Sequence, residues 1–438
     1  MKKEVVILGG GFAGLAAGVE LATRGHKVFL FEKRGVLGGR AYSFTDPSTG
    51  SVMDNGQHIF MGCYTATLRF LETIRRRDQV RFQRDLRVSF AAPGQGKVSL
   101  RTWPLSAPWN LAAGLAFFPG FSFVEKLRFL KVWSGLRRNG KNLDRKTVSE
   151  WLASLGQGER VRRRFWDLLA FAALNDHPDL CSAGSFEPVL REALFSTRKG
   201  SRIGFSRVGL TELYADPARE LIEKLGGHVF LNTPATRLHF SETEFSEVEL
   251  RDGRRISPDC LVLALPFTSL RSLLPERMIY QDPFFHPIHS LKSSPIVAIN
   301  LWFDRDFVET DFVGFWETRV HWLFNKGRIF GRKDPYYSLV ISGARDELKI
   351  PGPDLVQIAL DELHRLFPKA ASARLLHSHV QKEPEATLSP TVGTVRLSQK
   401  TPYPNLYLAG DWTDTGLPAT IEGAVRSAYR VVEMIDLS

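Results

Sequence analysis

The segment Asp54-Asn55-Gly56-Gln57-His58 holds the clearest candidates for proton chemistry in the chain. Asp54, Asn55 and Gly56 are turn formers, and they hand Gln57 and His58 to the start of an amphipathic run. An imidazole can give a proton near neutral pH. A carboxamide can orient a hydroxyl through its donors and its acceptor. The pair therefore reads as a proton donor, His58, with a positioning partner, Gln57. The same residues also read as a hydrogen-bonded histidine that shapes a pocket. Asp176, His177 and Asp414 are weaker candidates for the same proton, and Asp414 can instead cap the turn before Gly416.

Chemistry at His58 needs a reaction partner, and the preceding segment supplies a binding site. Residues 4–8 (EVVIL) are an apolar, β-branched run that stops at glycine, the pattern of a buried strand. Gly9, Gly11 and Gly14 then make G-x-G-x-x-G. The first permits a tight turn, the second lets a pyrophosphate approach the backbone, and the third lets a helix pack on the strand. That helix runs from about Ala13 to Thr23, with Phe12 and Ala13 at its start. It turns its free N–H groups and positive dipole end to the phosphates. Arg24 and Gly25 end it. KVFLFE follows as a second strand, and Glu32 at its end can accept hydrogen bonds from ribose hydroxyls. A carboxylate there repels a 2′-phosphate, which disfavours NADP; Lys33 stands beside it. Gly35, Gly38, Gly39 and Arg40 come next. A second glycine pair lets the chain run along a flavin diphosphate, which Arg40 can neutralise by charge-assisted hydrogen bonds. The set points to FAD, with Gly56 and Ala235 as further contacts.

The far end of the chain, NLYLAGDWTDTGLPATIEGAVRSAYRVV, reads as strand, turn and helix aimed at the same cofactor. Gly410 lets the strand turn sharply, and Asp411 can bond the ribityl chain or a phosphate. Pro418, Ala419 and Thr420 begin a helix whose N-terminus can face the flavin and stabilise negative charge on the reduced ring. This box has no cysteine or histidine, so the FAD is expected to be noncovalent.

The composition narrows the partners. The formal net charge of +11 includes the clusters Arg75-Arg76-Arg77, Arg137-Arg138 and Arg162-Arg163-Arg164, with no nucleic-acid-binding motif beside them. They fit either an anionic membrane surface or solvated helix faces. Cys63, Cys181 and Cys260 are widely spaced, which argues for a reducing compartment, no disulfide framework and no metal site. No secretory leader is read at residues 4–22, which belong to the nucleotide fingerprint. Residues 103–133 are strongly apolar but interrupted by Pro104, Pro108, Pro119 and Gly120. They suit two short helices meeting at Pro119-Gly120, which either dip into one leaflet or pack as an ordinary subdomain. Trp103, Trp109, Phe117 and Phe118 are the candidate membrane contacts. Phenylalanine is abundant, at 31 residues, which suits a large apolar cavity as well as an ordinary core.

Helices are predicted over 147–156, over the run from Arg162 to before Pro178, up to Gly226-Gly227, and over about Asp354 to Leu366. A strand after Gly226-Gly227 and strands at 247–251, 256 and 260–265 read as a second visit to the nucleotide domain. Runs at 295–303, 313–324 and 337–342 alternate as in an antiparallel sheet with one covered face.

On these residues the chain resembles the FAD-dependent amine oxidase and phytoene desaturase superfamily nearly end to end. The marks are G-x-G-x-x-G, the glutamate followed by G-G-R, and the terminal LAGDW box. Within it, DNGQH followed by GCYTATLRFL, and AGDWTDTGLPATIEGAVRSA, look most like the hydroxysqualene dehydroxylase branch. One departure is Asp176-His177-Pro178, where that branch has a Thr-Pro pair after Ala173-Leu174-Asn175. The resemblance implies an α/β fold, a Rossmann-like FAD-binding domain of the amine oxidase and glutathione reductase type interleaved with an α+β substrate domain. Segments 1–80, 201–275 and 386–438 would build the FAD part, 81–200 a helical substrate or membrane-facing part, and 276–385 an antiparallel-sheet substrate part. The implied activity is reductive dehydroxylation of hydroxysqualene to squalene in hopanoid biosynthesis, with a phytoene-type desaturase as the alternative. An amine oxidase ranks third, because LAGDWTDTG lacks the second aromatic. A non-catalytic isoprenoid-binding protein is the alternative of another class. The expected partners are a hydrophobic isoprenoid, a membrane surface and an electron donor of unknown identity, with no nucleic acid. The expected location is cytoplasmic, at the inner face of the membrane.

Overall fold

The computed structural model describes residues 1–137, 142–241, 243–332 and 334–438. Arg138, in one of the basic clusters, lies outside them. The fold is mixed α/β, and two sheets organise it. The first is five-stranded and parallel, in the order His228–Phe230, Lys27–Phe31, Glu4–Leu8, Cys260–Leu263, Leu406–Leu408. Its inner strands are continuous apolar runs because both faces are covered. Val5, Ile7, Val28 and Leu30 pack against the helices Phe12–Thr23 and Ile421–Leu437. Val6, Leu8, Leu261 and Leu263 face the other way, onto a layer that includes Leu238, Phe245 and Val248. Of the strands read as a second visit to the nucleotide domain, His228–Phe230 and Cys260–Leu263 join the parallel sheet. Phe245–Leu250 and Arg255–Ile256 form a separate antiparallel sheet with Ala235–Phe240. Their charged, alternating residues suit a sheet with one wet face.

The second sheet has seven strands. Its order is Leu375–Ser389, Lys292–Phe303, Tyr336–Ser342, Trp322–Asn325, Phe312–Phe315, Arg87–Ala92, Gly96–Arg101. It is mixed rather than purely antiparallel, because Phe312–Phe315 pairs in parallel with Arg87–Ala92. The expected strand over 313–324 is two strands, turned at Glu317, whose φ is +60°. The long edge strand Leu375–Ser389 was not predicted. It carries Lys382, Glu383, Pro384 and Glu385, and an edge position tolerates charge and proline. A register shift in its pairing between Ser294 and Ile296 accommodates the proline. One face of this sheet packs on the helix Gly352–Leu366 through Val297, Ile299 and Leu301. The other carries Phe90, Phe312, Trp322 and Val340 into a core shared with the helical segment.

That helical segment contains Trp109–Ala116 and Phe123–Arg137, which flank Pro119-Gly120 as the sequence predicts. Val148–Ser154 starts at Thr147 with a complete capping box to Glu150. The next helical run ends at Leu174, where Asn175 takes the left-handed conformation. No helix among the described residues is long and apolar enough to cross a membrane.

Candidate functional site

The two glycine loops meet at the carboxyl end of the parallel sheet, where α/β folds bind ligands. Gly9 has φ +106°, and a Cβ there would stand 2.5 Å from the Ala264 carbonyl oxygen. A Cβ on Gly14 would stand 1.9 Å from the Gly9 oxygen, so the helix can approach its strand only with glycine. The first turn of Phe12–Thr23 has no side-chain cap and no acidic residue, which leaves its N–H groups for an anion. Gly38 N–H donates to the Gly10 carbonyl at 2.8 Å and joins the loops. Tyr214 lies beneath, with its hydroxyl 2.8 Å from Gly38 O and its ring stacked on Phe12. Glu32 accepts from Gly10 N–H at 2.8 Å and from Arg34 N–H at 3.0 Å, so its carboxylate is held at the rim. Arg40 pairs with Asp411 and thereby ties the N-terminal loop to the C-terminal box. Thr420 caps the helix Ile421–Leu437 by accepting from Gly423 N–H.

These groups surround a cavity of about 500 Å³. Of the residues singled out by sequence, Gly9, Gly11, Phe12, Ala13, Glu32, Lys33, Gly38, Gly39, Arg40, Gln57, His58, Ala235, Gly410, Asp411, Ala419 and Thr420 line it. Gly14, Gly56 and Pro418 do not; Gly14 works behind the wall, by packing. The residues fit FAD. Gly11 and Gly39 face each other across the wall, and a Cβ on Gly39 would sit 3.0 Å from Gly11 Cα and fill the cradle. The helix N-terminus and Arg40 suit a diphosphate, Glu32 a ribose, and Ala419 and Thr420 the flavin side.

Gln57 and His58 line the cavity together with the apolar Ile59, Ala172, Ala173 and Ile296 and with Tyr64, Asn175 and Thr387. Burial pushes the His58 imidazolium down to about 4; Asp54 opposes the shift, and Lys326 and Arg40 add to it. The ring is therefore neutral at neutral pH. It can donate a hydrogen bond, but it is not the ready imidazolium acid that the sequence suggests. The rate of any step that depends on His58 is expected to show no inflection between about pH 6 and 8, where an ordinary histidine titrates. A stopped-flow pH profile checks this, and a clear midpoint near 6.5 lost in His58→Ala would contradict it.

The weaker proton candidates have other work. Asp176 is fully buried and held by Arg345 at 2.7 Å, with Ser389 and the His177 N–H also bonded to it. It joins Asn175, which lines the cavity, to the second sheet. Asp414 accepts from Gly416 N–H at 3.2 Å and caps that turn. Asp54 was read only as a turn former, and Lys326 was not singled out. Together they make a buried ion pair at 2.8 Å behind Gln57. Burial opposes ionisation of Asp54, yet Lys326, Ser43 and Leu210 N–H hold its carboxyl below the usual range. Tyr64 and Thr387 also line the cavity, and Thr387 Oγ1 has no hydrogen-bond partner among the described residues.

A family profile described as flavin containing amine oxidoreductase matches residues 12–435. A 15-cis-phytoene desaturase of an Oncidium hybrid cultivar is 31% identical, over 99% of this chain and 77% of that protein. A 15-cis-phytoene desaturase of Synechococcus elongatus is 28% identical, over 99% and 95%. Cyclohexylamine oxidase from Brevibacterium oxydans has the same fold, with a TM-score of 0.74 at 17% identity over the whole of both chains.

Proposed function

Since the chain belongs to the flavin-containing amine oxidoreductase family, we propose that it removes the allylic hydroxyl of hydroxysqualene to give squalene for hopanoid synthesis. The family makes it an FAD-dependent oxidoreductase of the amine oxidase and carotenoid desaturase type. The dehydroxylase reading is supported by Gln57 and His58, polar groups that line the cavity among the apolar Ile59, Ala172, Ala173 and Ile296. A hydrocarbon such as phytoene has no oxygen for such a pair to hold. An allylic alcohol has one.

The conversion replaces C–OH by C–H, takes up two electrons and two protons, and releases water. Bound and reduced, FAD supplies the electrons. Gln57 and His58 are placed to hold the departing oxygen, with the His58 N–H donating to it. The apolar residues beside them exclude bulk water, which strengthens those hydrogen bonds. His58→Ala is expected to retain FAD and to slow anaerobic flavin reoxidation by hydroxysqualene about tenfold, the loss of one hydrogen bond. A loss of ~10²–10⁴-fold would make His58 the acid after all.

The second reading, a phytoene-type desaturase, is favoured by the relatives named above. Flavin spectra separate the two. Under the first reading, reduced enzyme is reoxidised by hydroxysqualene. Under the second, oxidised enzyme is bleached by phytoene while reduced enzyme ignores hydroxysqualene.

We propose also that the protein delivers its lipid from an anionic membrane surface. Phe123, Leu127 and Leu130 recur on one exposed face of their helix, beside Trp103, Trp109 and a 70% exposed Phe117. Arg101, Arg128 and Lys131 are exposed on the same segment. Such a face suits interfacial binding helped by charge. Phe118 does not belong to it: it is 1% exposed and packs edge-on to Phe90 and Phe121. Phe117→Ser with Phe123→Ser is therefore expected to weaken flotation with anionic liposomes, and added salt to weaken it further. Flotation unchanged by the pair would contradict the proposal.

A further inference from the structure

Lys326 is the least accessible lysine on the cavity side, at 2% exposure, and it follows directly on the strand Trp322–Asn325. Its ammonium has three hydrogens and three partners. Asp54 Oδ2 accepts at 2.8 Å and Gln57 Oε1 at 3.1 Å, and the Phe330 ring centroid lies 4.2 Å away. Asp54 is held in turn, since its Oδ1 accepts from the Ser43 hydroxyl at 2.7 Å and Leu210 N–H at 3.0 Å. Neither charged group lines the cavity.

The consequence falls on Gln57. A carboxamide can present either its oxygen or its nitrogen, and the two ends differ little in shape. Lys326 takes the oxygen, so the nitrogen end is set by the ammonium. One Nε2 hydrogen donates to the His58 carbonyl at 2.9 Å. The other has no partner among the described residues, and Gln57 lines the cavity. The polarity therefore runs one way, from the Ser43 and Leu210 donors to Asp54, and from Lys326 through Gln57 to an N–H without a partner among the described residues, on a side chain that lines the cavity. An ammonium pulling on the amide oxygen also makes that N–H a stronger donor.

We infer that Lys326, seated on Asp54, is a positioning residue that makes Gln57 a specificity-determining donor, selecting an isoprenoid that carries an oxygen over the corresponding hydrocarbon. The inference rests on the reading of the cavity as an isoprenoid site and names which member of that class it prefers. A purely structural role is the competing account, because the Lys326–Asp54 pair also ties the first glycine-rich half to the second sheet. Gln57 separates the two accounts. Replacing it leaves the tie intact and removes the donor.

The test is ligand binding without turnover. Oxidised holoenzyme is titrated with hydroxysqualene and with squalene in the same detergent, and perturbation of the flavin spectrum is read. The wild type is expected to prefer the alcohol by about tenfold, the worth of one strong neutral hydrogen bond. Gln57→Met is expected to bring the two affinities together by weakening the alcohol alone. Lys326→Arg is expected to keep the preference, and Lys326→Met with Asp54→Asn, which leaves no buried charge unpaired, to lose it. Equal wild-type affinities would overturn the inference, and so would a preference that survives Gln57→Met. If the paired variant does not fold, Gln57→Met alone decides. A selective enzyme that forms no squalene would sink the dehydroxylase reading and leave this one standing. One that forms squalene but shows no Gln57-dependent preference would do the reverse.

Discussion

Asp54→Ala is expected to cost the folded protein about 3–5 kcal/mol, because it leaves the buried Lys326 ammonium without its counter-charge. Both side chains are almost wholly enclosed and lie 2.8 Å apart, so solvent cannot take over the role of the carboxylate. The loss should appear as a lower denaturant midpoint. Replacing both partners, as Asp54→Leu with Lys326→Met, should recover much of it, because a matched apolar pair carries no stranded charge. A single variant within ~1 kcal/mol of wild type would show that the pair is solvated or dispensable. The pH dependence follows from the lowered Asp54 pKa. The stability it contributes is complete above the ordinary carboxylate value of ~3.9 and is lost only as pH falls through the depressed folded value.

Glu32→Ala is expected to weaken FAD binding by about 10–150-fold, equivalent to ~1.5–3 kcal/mol for hydrogen bonds to a charged group. Glu32 is buried at the end of its strand, and it holds Gly10 N–H and Arg34 N–H while it faces the cavity. The substitution removes the ribose acceptor and also loosens the loop that bears on the diphosphate. Fluorescence titration of apoprotein with FAD measures the change, and circular dichroism confirms that the fold persists. An affinity within twofold of wild type would place the adenosine end elsewhere.

The nucleotide half of the site was legible because its constraints are local. Gly9, Gly11 and Gly14 fall within six residues; Gly9 and Gly14 answer steric needs that only glycine meets, and Gly11 leaves the cradle open. The C-terminal box was legible for the same reason: Gly410, at φ +151°, allows the turn that delivers Asp411. Lys326 was not legible. It meets Asp54 across 272 residues, and a lone lysine after WLFN carries no spacing that says it will be buried. The protonation state of His58 was not legible for a related reason. Its ordinary pKa belongs to the residue type, while the downward shift comes from burial and from charges brought near by the fold. Phe117 and Phe118 show the same limit on a smaller scale. Neighbours at the end of a helix point to opposite sides, and in the turn after Ala116 no periodicity says which one faces solvent. The edge strand Leu375–Ser389 escaped because its charges and Pro384 are what an edge permits and what a loop also shows.

The central claim is that the enzyme exchanges an allylic oxygen for hydrogen at the expense of reduced flavin. The most direct measurement is a single anaerobic turnover. Enzyme reduced with dithionite and freed of excess reductant is mixed with hydroxysqualene, and the extracted lipid is identified by mass spectrometry. Squalene should appear in an amount equal to the flavin reoxidised. Recovery of unchanged hydroxysqualene with the flavin still reduced, while oxidised enzyme converts phytoene to a more unsaturated product, would contradict the account and make the protein a desaturase.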